Sequence, residues 1–166
     1  MTQGSMRKRQ KVSTCLWFNT DAEVAAKFYV SLLPNSRVKD VSHYGKKAPA
    51  PEGQVMVVTF ELAGTEYMGL NGGPIFTHSE AASIVVLCDD QAEIDRLWDA
   101  LTAGGGKASR CGWLKDKFGV SWQIVPARLR DLMSGGTPEQ SARVMQALMH
   151  MVKLDIAELE AAHQQA

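Results

Sequence analysis

The run ASIVVLCDDQAEIDRLW, Ala82 to Trp98, carries two different periods in succession. Ala82 to Cys88 is short, apolar and rich in β-branched residues, which predicts a buried strand. Asp89-Asp90 follow, and apolar residues then recur at Ile94, Leu97, Trp98 and Leu101. That spacing lays one stripe along a helix, with the aspartates placed to accept from its first N–H groups. Gly104-Gly105-Gly106 ends the helix. Two short strands are expected around Lys107 to Cys111 and Trp113 to Asp116, then a turn at Phe118-Gly119. A last strand runs from Ser121 to Val125 and is closed by Pro126.

The same order stands earlier in the chain. Thr14 to Phe18 (TCLWF) reads as a strand. Asn19, Thr20 or Asp21 can cap a helix carrying Val24, Ala25, Phe28, Tyr29 and Leu32, which Pro34-Asn35 ends. Strands are expected over Arg37 to Tyr44, Val55 to Leu62 and Glu66 to Leu70. A proline- and glycine-bearing loop, Gly45 to Gly53, and a tight turn at Ala63-Gly64 separate them, and Asn71-Gly72-Gly73-Pro74 stops the last. The two halves form a structural repeat of ~60 residues in which each unit has one strand layer and one helix. Such units bury their apolar faces by packing, so the fold class is α+β: paired βαβββ units forming a cupped mixed sheet with helices outside, plus a C-terminal helical tail.

The organisation follows. Residues 12–127 form the domain, with units at about 12–73 and 82–127, and 128–166 is a helical extension of it. In that extension Leu129 to Met133 is a short apolar piece. Thr137, Pro138 and Gln140 spell a helix start with a capping box. Val144, Leu148, Met151 and Val152 form a stripe that Met145, Met149, Leu154, Ile156 and Leu159 widen. A methionine-rich stripe suits packing on its own domain or on a partner subunit.

Eighteen basic and eighteen acidic residues give the 166-residue chain zero formal net charge. No strong field draws it to nucleic acid or membrane. The basic group Arg7, Lys8, Arg9 and Lys11 reads as a solvated tail, with Met6 a possible native start. No stretch reaches the ~20 apolar residues of a membrane span, and no secretory signal pattern opens the chain. The three cysteines Cys15, Cys88 and Cys111 are odd in number and widely spaced, which predicts free thiols and a cytoplasmic protein.

The stretch from Arg110 to Pro126, RCGWLKDKFGVSWQIVP, resembles the PhnB-like branch of the glyoxalase, or vicinal oxygen chelate, superfamily. So do Leu16-Trp17-Phe18, Asn71 to Pro74 and Met151 to Ile156. The branch is filed under 3-demethylubiquinone-9 3-methyltransferase, and the resemblance spans about 12–161. It implies a divalent ion held by His, Gln or Glu on the first and last strands of each unit, polarising vicinal substrate oxygens. At the positions it points to, this chain has Thr14, Ser83, Gln123 and a residue near Met68 or Leu70. Hydroxyls, an amide and a thioether do not suit Zn²⁺ or Fe²⁺. The expectation is therefore no metal and no cofactor, and His43, His78, His150 and His163 read as solvated or structural.

Strand parity then proposes a pocket. If Gln123 faces the cup, Ser121 and Val125 share its face while Trp122 and Ile124 face the helices. The same parity assigns Thr14, Leu16 and Phe18, and Ser83, Val85 and Leu87, to the cup. With Met68 and Trp113 this gives a mostly apolar ligand site with few polar groups. The expected function is small-molecule binding by a homodimer. The alternative is an enzyme: a metal-dependent lyase or dioxygenase, or a methyltransferase acting on a demethylubiquinone-like quinone. Against the methyltransferase, the glycine run at 104–106 ends a helix rather than opening one. Cys15 and Cys88 read as inert core thiols, and Cys111, beside Arg110, as the thiol to test.

Overall fold

The computed structural model describes residues 10–165, so Arg7, Lys8 and Arg9 lie outside the described residues. The chain divides into two compact units, residues 10–77 and 78–165. In the first, β1 (Thr14–Phe18) leads into α1 (Ala22–Leu32), followed by β2 (Arg37–His43), β3 (Val55–Leu62) and β4 (Thr65–Asn71). In the second, β5 (Ser83–Cys88) leads into α2 (Gln91–Thr102), then β6 (Lys107–Ala108), β7 (Trp113–Lys115) and β8 (Ser121–Pro126). The remainder of that unit is α3 (Leu129–Ser134), α4 (Pro138–His150) and α5 (Ile156–Gln164). Both sheets have one topology, β1-β4-β3-β2 and β5-β8-β7-β6. In each, the first strand lies parallel to the last and the other pairs are antiparallel. The repeated βαβββ units are as the sequence implies.

In the first unit the helix face of the sheet presents Val58, Phe60 and Leu62 to Ala22, Ala25, Ala26, Tyr29 and Leu32, all buried. Tyr29 meets Phe60, and Phe60 stacks on Tyr67 at 5.6 Å. Val24 was expected in the stripe but is 58% exposed. Alanines at 22, 25 and 26 let α1 sit close to β4: a Cβ on Gly69 would lie 3.2 Å from that of Ala22. The start of α1 is satisfied remotely. Asp21 makes no side-chain cap. Instead Asn71 Oδ1 accepts from Ala22 N at 2.9 Å, across 49 residues of chain. Asn71 Nδ2 also donates to Val55 O, and its carbonyl accepts from Tyr44 Oη. One side chain thus ties the end of β4 to α1 and β3. Next to it, Trp17 packs so closely that a Cβ on Gly72 would lie 2.2 Å from its ring, and its indole N–H donates to Gly73 O.

In the second unit Asp90 caps α2 through Glu93 N, and Glu93 reaches back to Asp89 N. Ile94, Leu97, Trp98 and Leu101 are buried, as their spacing predicts. β6 is shorter than expected. Cys111 has φ +57° and Gly112 φ +81°, so the chain turns before Trp113. A side chain at 112 would meet Ile124 O at 2.9 Å, which calls for glycine there.

The turn from β7 to β8 is organised by Asp116, which is 3% exposed. Its Oδ1 accepts from Phe118 N at 2.8 Å and Val120 N at 3.0 Å, and its Oδ2 accepts from Trp122 Nε1 at 2.9 Å. The backbone closes beneath it through Gly119 N to Asp116 O.

The tail belongs to the second unit. The capping box at Thr137 and Gln140 forms as read. The methionine-rich stripe splits in two. Val144, Met151, Leu154 and Leu159 form a cluster with Leu129, Leu132, Met133 and Leu148 against it, while Met145, Met149 and Val152 are exposed. Gln91 holds the tail to α2, donating to Leu154 O and accepting from Ile156 N. The Cys111 and Gly112 N–H groups bond Met151 O and Val152 O.

Replacing Asp116 with Ala leaves two buried N–H donors and one part-buried one without their acceptor, at about 1–3 kcal/mol each. Urea unfolding is expected to show a loss of at least about 3 kcal/mol. A loss under about 1 kcal/mol would show that the carboxylate does not organise this turn.

Candidate functional site

Each sheet has a face turned away from its own helix, called the open face below. In the second unit its composition follows from register. Ser83 pairs with Ser121, Val85 with Gln123, Leu87 with Val125, and Trp113 with Gln123. Residues directly opposite share a face. Trp122, Ile124, Ile84 and Val86 are buried on the helix side, so Ser83, Val85, Leu87, Gln123, Val125 and Trp113 lie on the open face, as parity predicts. Gln123 Nε2 donates to Ser83 Oγ at 2.9 Å. Among the described residues nothing donates to Gln123 Oε1, which leaves an acceptor on this face. Val85 and Leu87 beside it are 51% and 63% exposed. Ser121 shares the face but is 1% exposed, and its hydroxyl donates to Ser79 O. It is covered rather than available.

The first unit departs from the sequence reading. Leu16 pairs with Gly69, and Gly69 faces Ala22 of α1. Thr14, Leu16 and Phe18 therefore belong to the helix side. Leu16 and Phe18 are core residues, 8% and 5% exposed. The open face carries Cys15, Trp17 and Met68, with Cys15 opposite Met68. The misreading has a physical source. TCLWF is apolar at both parities, so alternation could not choose a face. Matching Thr14 to Ser83 aligned the strands by their starts, although β1 has five residues and β5 six. Aligned by their ends, Phe18 and Cys88 both point to their helices. Cys15 is consequently exposed and not a core thiol.

A cavity of about 560 Å³ opens beside this face of the second unit, lined by Trp113 and by Lys107, Arg110, Cys111, Lys115 and Glu80 among others. Of the pocket residues anticipated from sequence only Trp113 lines it, together with Cys111, which was singled out as a thiol and not as a pocket residue. The missed ones come from the sheet edge and the 109–112 turn, where no periodicity marks them. Glu80 pairs with Lys115 at 2.8 Å, and this hydrogen bond holds its carboxyl below the usual glutamate range. The turn is steadied by the tail: Arg110 donates to Met149 O, and Cys111 Sγ lies 3.9 Å from Met149 Sδ.

The donors do not fit a divalent ion. Near its middle the open face of the first unit offers Cys15 and Met68, while Glu61 and Glu66 further along it are ion-paired to Arg37 and Lys39, and the open face of the second unit offers Ser83 and Gln123. Among the described residues no group of three or more His, Cys, Asp or Glu could hold a metal. A single thiol with a thioether in one unit, and a hydroxyl with an amide in the other, do not make up the set of imidazoles, thiolates and carboxylates that Zn²⁺ or Fe²⁺ sites use.

Two βαβββ units of identical strand order define the glyoxalase-like fold of the vicinal oxygen chelate superfamily. Comparison with known proteins agrees. The profile of the 3-demethylubiquinone-9 3-methyltransferase family matches residues 10–125, and the chain belongs to that family, in its PhnB-like branch. A PhnB protein from Bacillus cereus is 36% identical, with 71% of this chain and 100% of that chain covered, at a TM-score of 0.65. A Pseudomonas aeruginosa protein of known structure shares the fold at 22% identity and a TM-score of 0.58, with 71% and 98% of the two chains covered. No curated protein matches the chain. The α3–α5 tail lies beyond the matched profile.

The thiols give a direct check. Burial pushes the Cys88 thiol up to about 12, with Glu93 adding to the effect. Cys15 is exposed and Cys111 half-buried. Ellman titration of the folded protein near neutral pH is expected to count two thiols, and the third only after denaturation. Three rapid equivalents would contradict the packing of Cys88.

Proposed function

We propose that this chain is a small-molecule-binding protein that acts without a chelated divalent ion and uses the open face of its second unit. The observation that carries this reading is the Gln123–Ser83 pair. One polar atom of the amide is held by the Ser83 hydroxyl and the other has no protein partner among the described residues, beside Val85 and next to Trp113, which lines the cavity. Apolar walls with a few fixed polar groups are the ordinary make-up of a small-molecule site. In this reading Gln123 accepts from a ligand donor, Trp113 supplies an aromatic wall and Ser83 positions the amide. Thr14, Leu16 and Phe18 take no part, being on the helix side of their sheet. Met68 and the covered Ser121 are not assigned contacts.

The working form in this proposal is a cytoplasmic homodimer. Support comes from the exposed aliphatic pair Val85 and Leu87, from exposed Met145 and Met149, and from three free cysteines. Among the described residues no helix is long and apolar enough to cross a membrane.

A second reading, methyl transfer to a demethylubiquinone-like quinone, is favoured by the description of the family alone. Residues 19–21, which follow β1, are Asn-Thr-Asp rather than a glycine-rich turn, and the glycines at 104–106 end α2. Submicromolar binding of S-adenosylmethionine would support it.

The test of the first reading is a thermal-shift screen with aromatic acids, phenols and hydroxyquinones. A compound at 100 times its Kd adds about 2.7 kcal/mol, or roughly 5–10 °C for a chain of this size. Gln123→Leu, which conserves bulk and removes the acceptor, is expected to reduce that shift by more than half while leaving the unliganded Tm within about 2 °C. An unchanged shift in the variant would remove Gln123 from the site.

A further inference from the structure

We propose that the cavity of the second unit is built for an aromatic anion, its charge seated between Lys107 and Arg110 and its ring against Trp113. This inference rests on the binding reading above and names the ligand class. The chain as a whole is charge-balanced, yet the cavity lining brings together Lys107, Arg110 and Lys115 against the single carboxylate of Glu80. Glu80 is engaged by Lys115. Among the described residues no carboxylate forms an ion pair with Lys107 or Arg110.

Register adds an independent observation. Lys107 and Lys115 are directly opposite on β6 and β7, and like charges placed so are mutually unfavourable. Glu80 answers one of them. An anion between Lys107 and Arg110 would answer the other, and the guanidinium offers paired donors that match a carboxylate, sulfonate or phosphate.

Geometry gives the ligand two ends. Gln123 on β8 is directly opposite Trp113 on β7, one strand spacing of ~4.8 Å away, and Lys107 on β6 is opposite Lys115, two residues further along β7, so it lies diagonally beyond Trp113. The uncharged amide of Gln123 offers no positive charge to an anion and pairs with a neutral hydroxyl or N–H. The cations occupy the opposite end, with the indole of Trp113 between them. The class that fits is a flat aromatic acid with a hydrogen-bond donor on the far side of its ring from the acid. A cavity of about 560 Å³ holds one or two fused rings.

The experiment uses the full chain and two fluorescent probes of one aromatic body, 8-anilinonaphthalene-1-sulfonate and the uncharged N-phenyl-1-naphthylamine. Each is titrated at low salt and at 0.5 M NaCl. The expected result is at least tenfold tighter binding of the sulfonate at low salt, with most of the preference lost at high salt. Lys107→Gln combined with Arg110→Gln, both exposed and outside the core, should weaken the sulfonate at least tenfold and the neutral probe less than twofold. Equal affinity for the two probes, both abolished by Trp113→Ala, would overturn the anion inference and leave the binding site standing. Unaltered sulfonate binding in the double variant would also overturn it. Absence of binding by either probe would overturn the site reading together with the inference.

Discussion

A buried carboxylate sets the phase of the last strand. Asp116 accepts from Phe118 N, Val120 N and the indole of Trp122. Those bonds fix where β8 starts and which way its residues point. Trp122 goes to the helix side, where it is 1% exposed, and Gln123 goes to the open face. A slip of one residue would exchange them, placing an amide in the core and an indole in water. The charge is tolerable in the interior because three donors surround it. The polar feature of the site and the largest side chain of the unit's core thus depend on one turn.

The first unit solves the same problem with other residues. Asn71 stands at the end of β4 and bonds α1, β3 and, through its carbonyl, Tyr44. Trp17 closes over Gly72, where no side chain would fit. Segments that resemble the family in sequence, LWF and NGGP in one unit and RCGWLKDKFGVSW in the other, are for the most part the devices that join strand ends to helices. Of the residues the proposed site uses, Arg110 and Gln123 lie within the longer stretch from Arg110 to Pro126 and Lys107 lies just before it.

The origin of each feature explains what could be read in advance. The order of elements, the two helix stripes and the capping box at Thr137 follow from local spacing and were legible. So was the face of Gln123, because SWQIV alternates a polar with an apolar set. The face of β1 was not, because Cys15 and Trp17 are as apolar as Leu16 and Phe18. Val24 looked like part of a stripe because α1 is apolar nearly all round, and only the close approach at Gly69 shows that alanines fill the contact. The remote cap from Asn71 leaves no local trace. The cationic lining of the cavity was hidden for another reason: Lys107 and Lys115 become neighbours only once β6 pairs with β7, and Arg110 joins them only through the left-handed turn at Cys111. Spacing along the chain cannot reveal residues that a strand pairing assembles.

The central claim is that binding here proceeds without a chelated divalent ion, because among the described residues no group of three or more His, Cys, Asp or Glu is brought together to hold one. Native mass spectrometry of protein purified without chelators and without a metal-affinity step tests it most directly. The account predicts a mass that contains no stoichiometric Zn²⁺, Fe²⁺, Mn²⁺ or Ni²⁺ and that takes none up on addition of micromolar metal. About one ion per chain, retained through desalting, would contradict it.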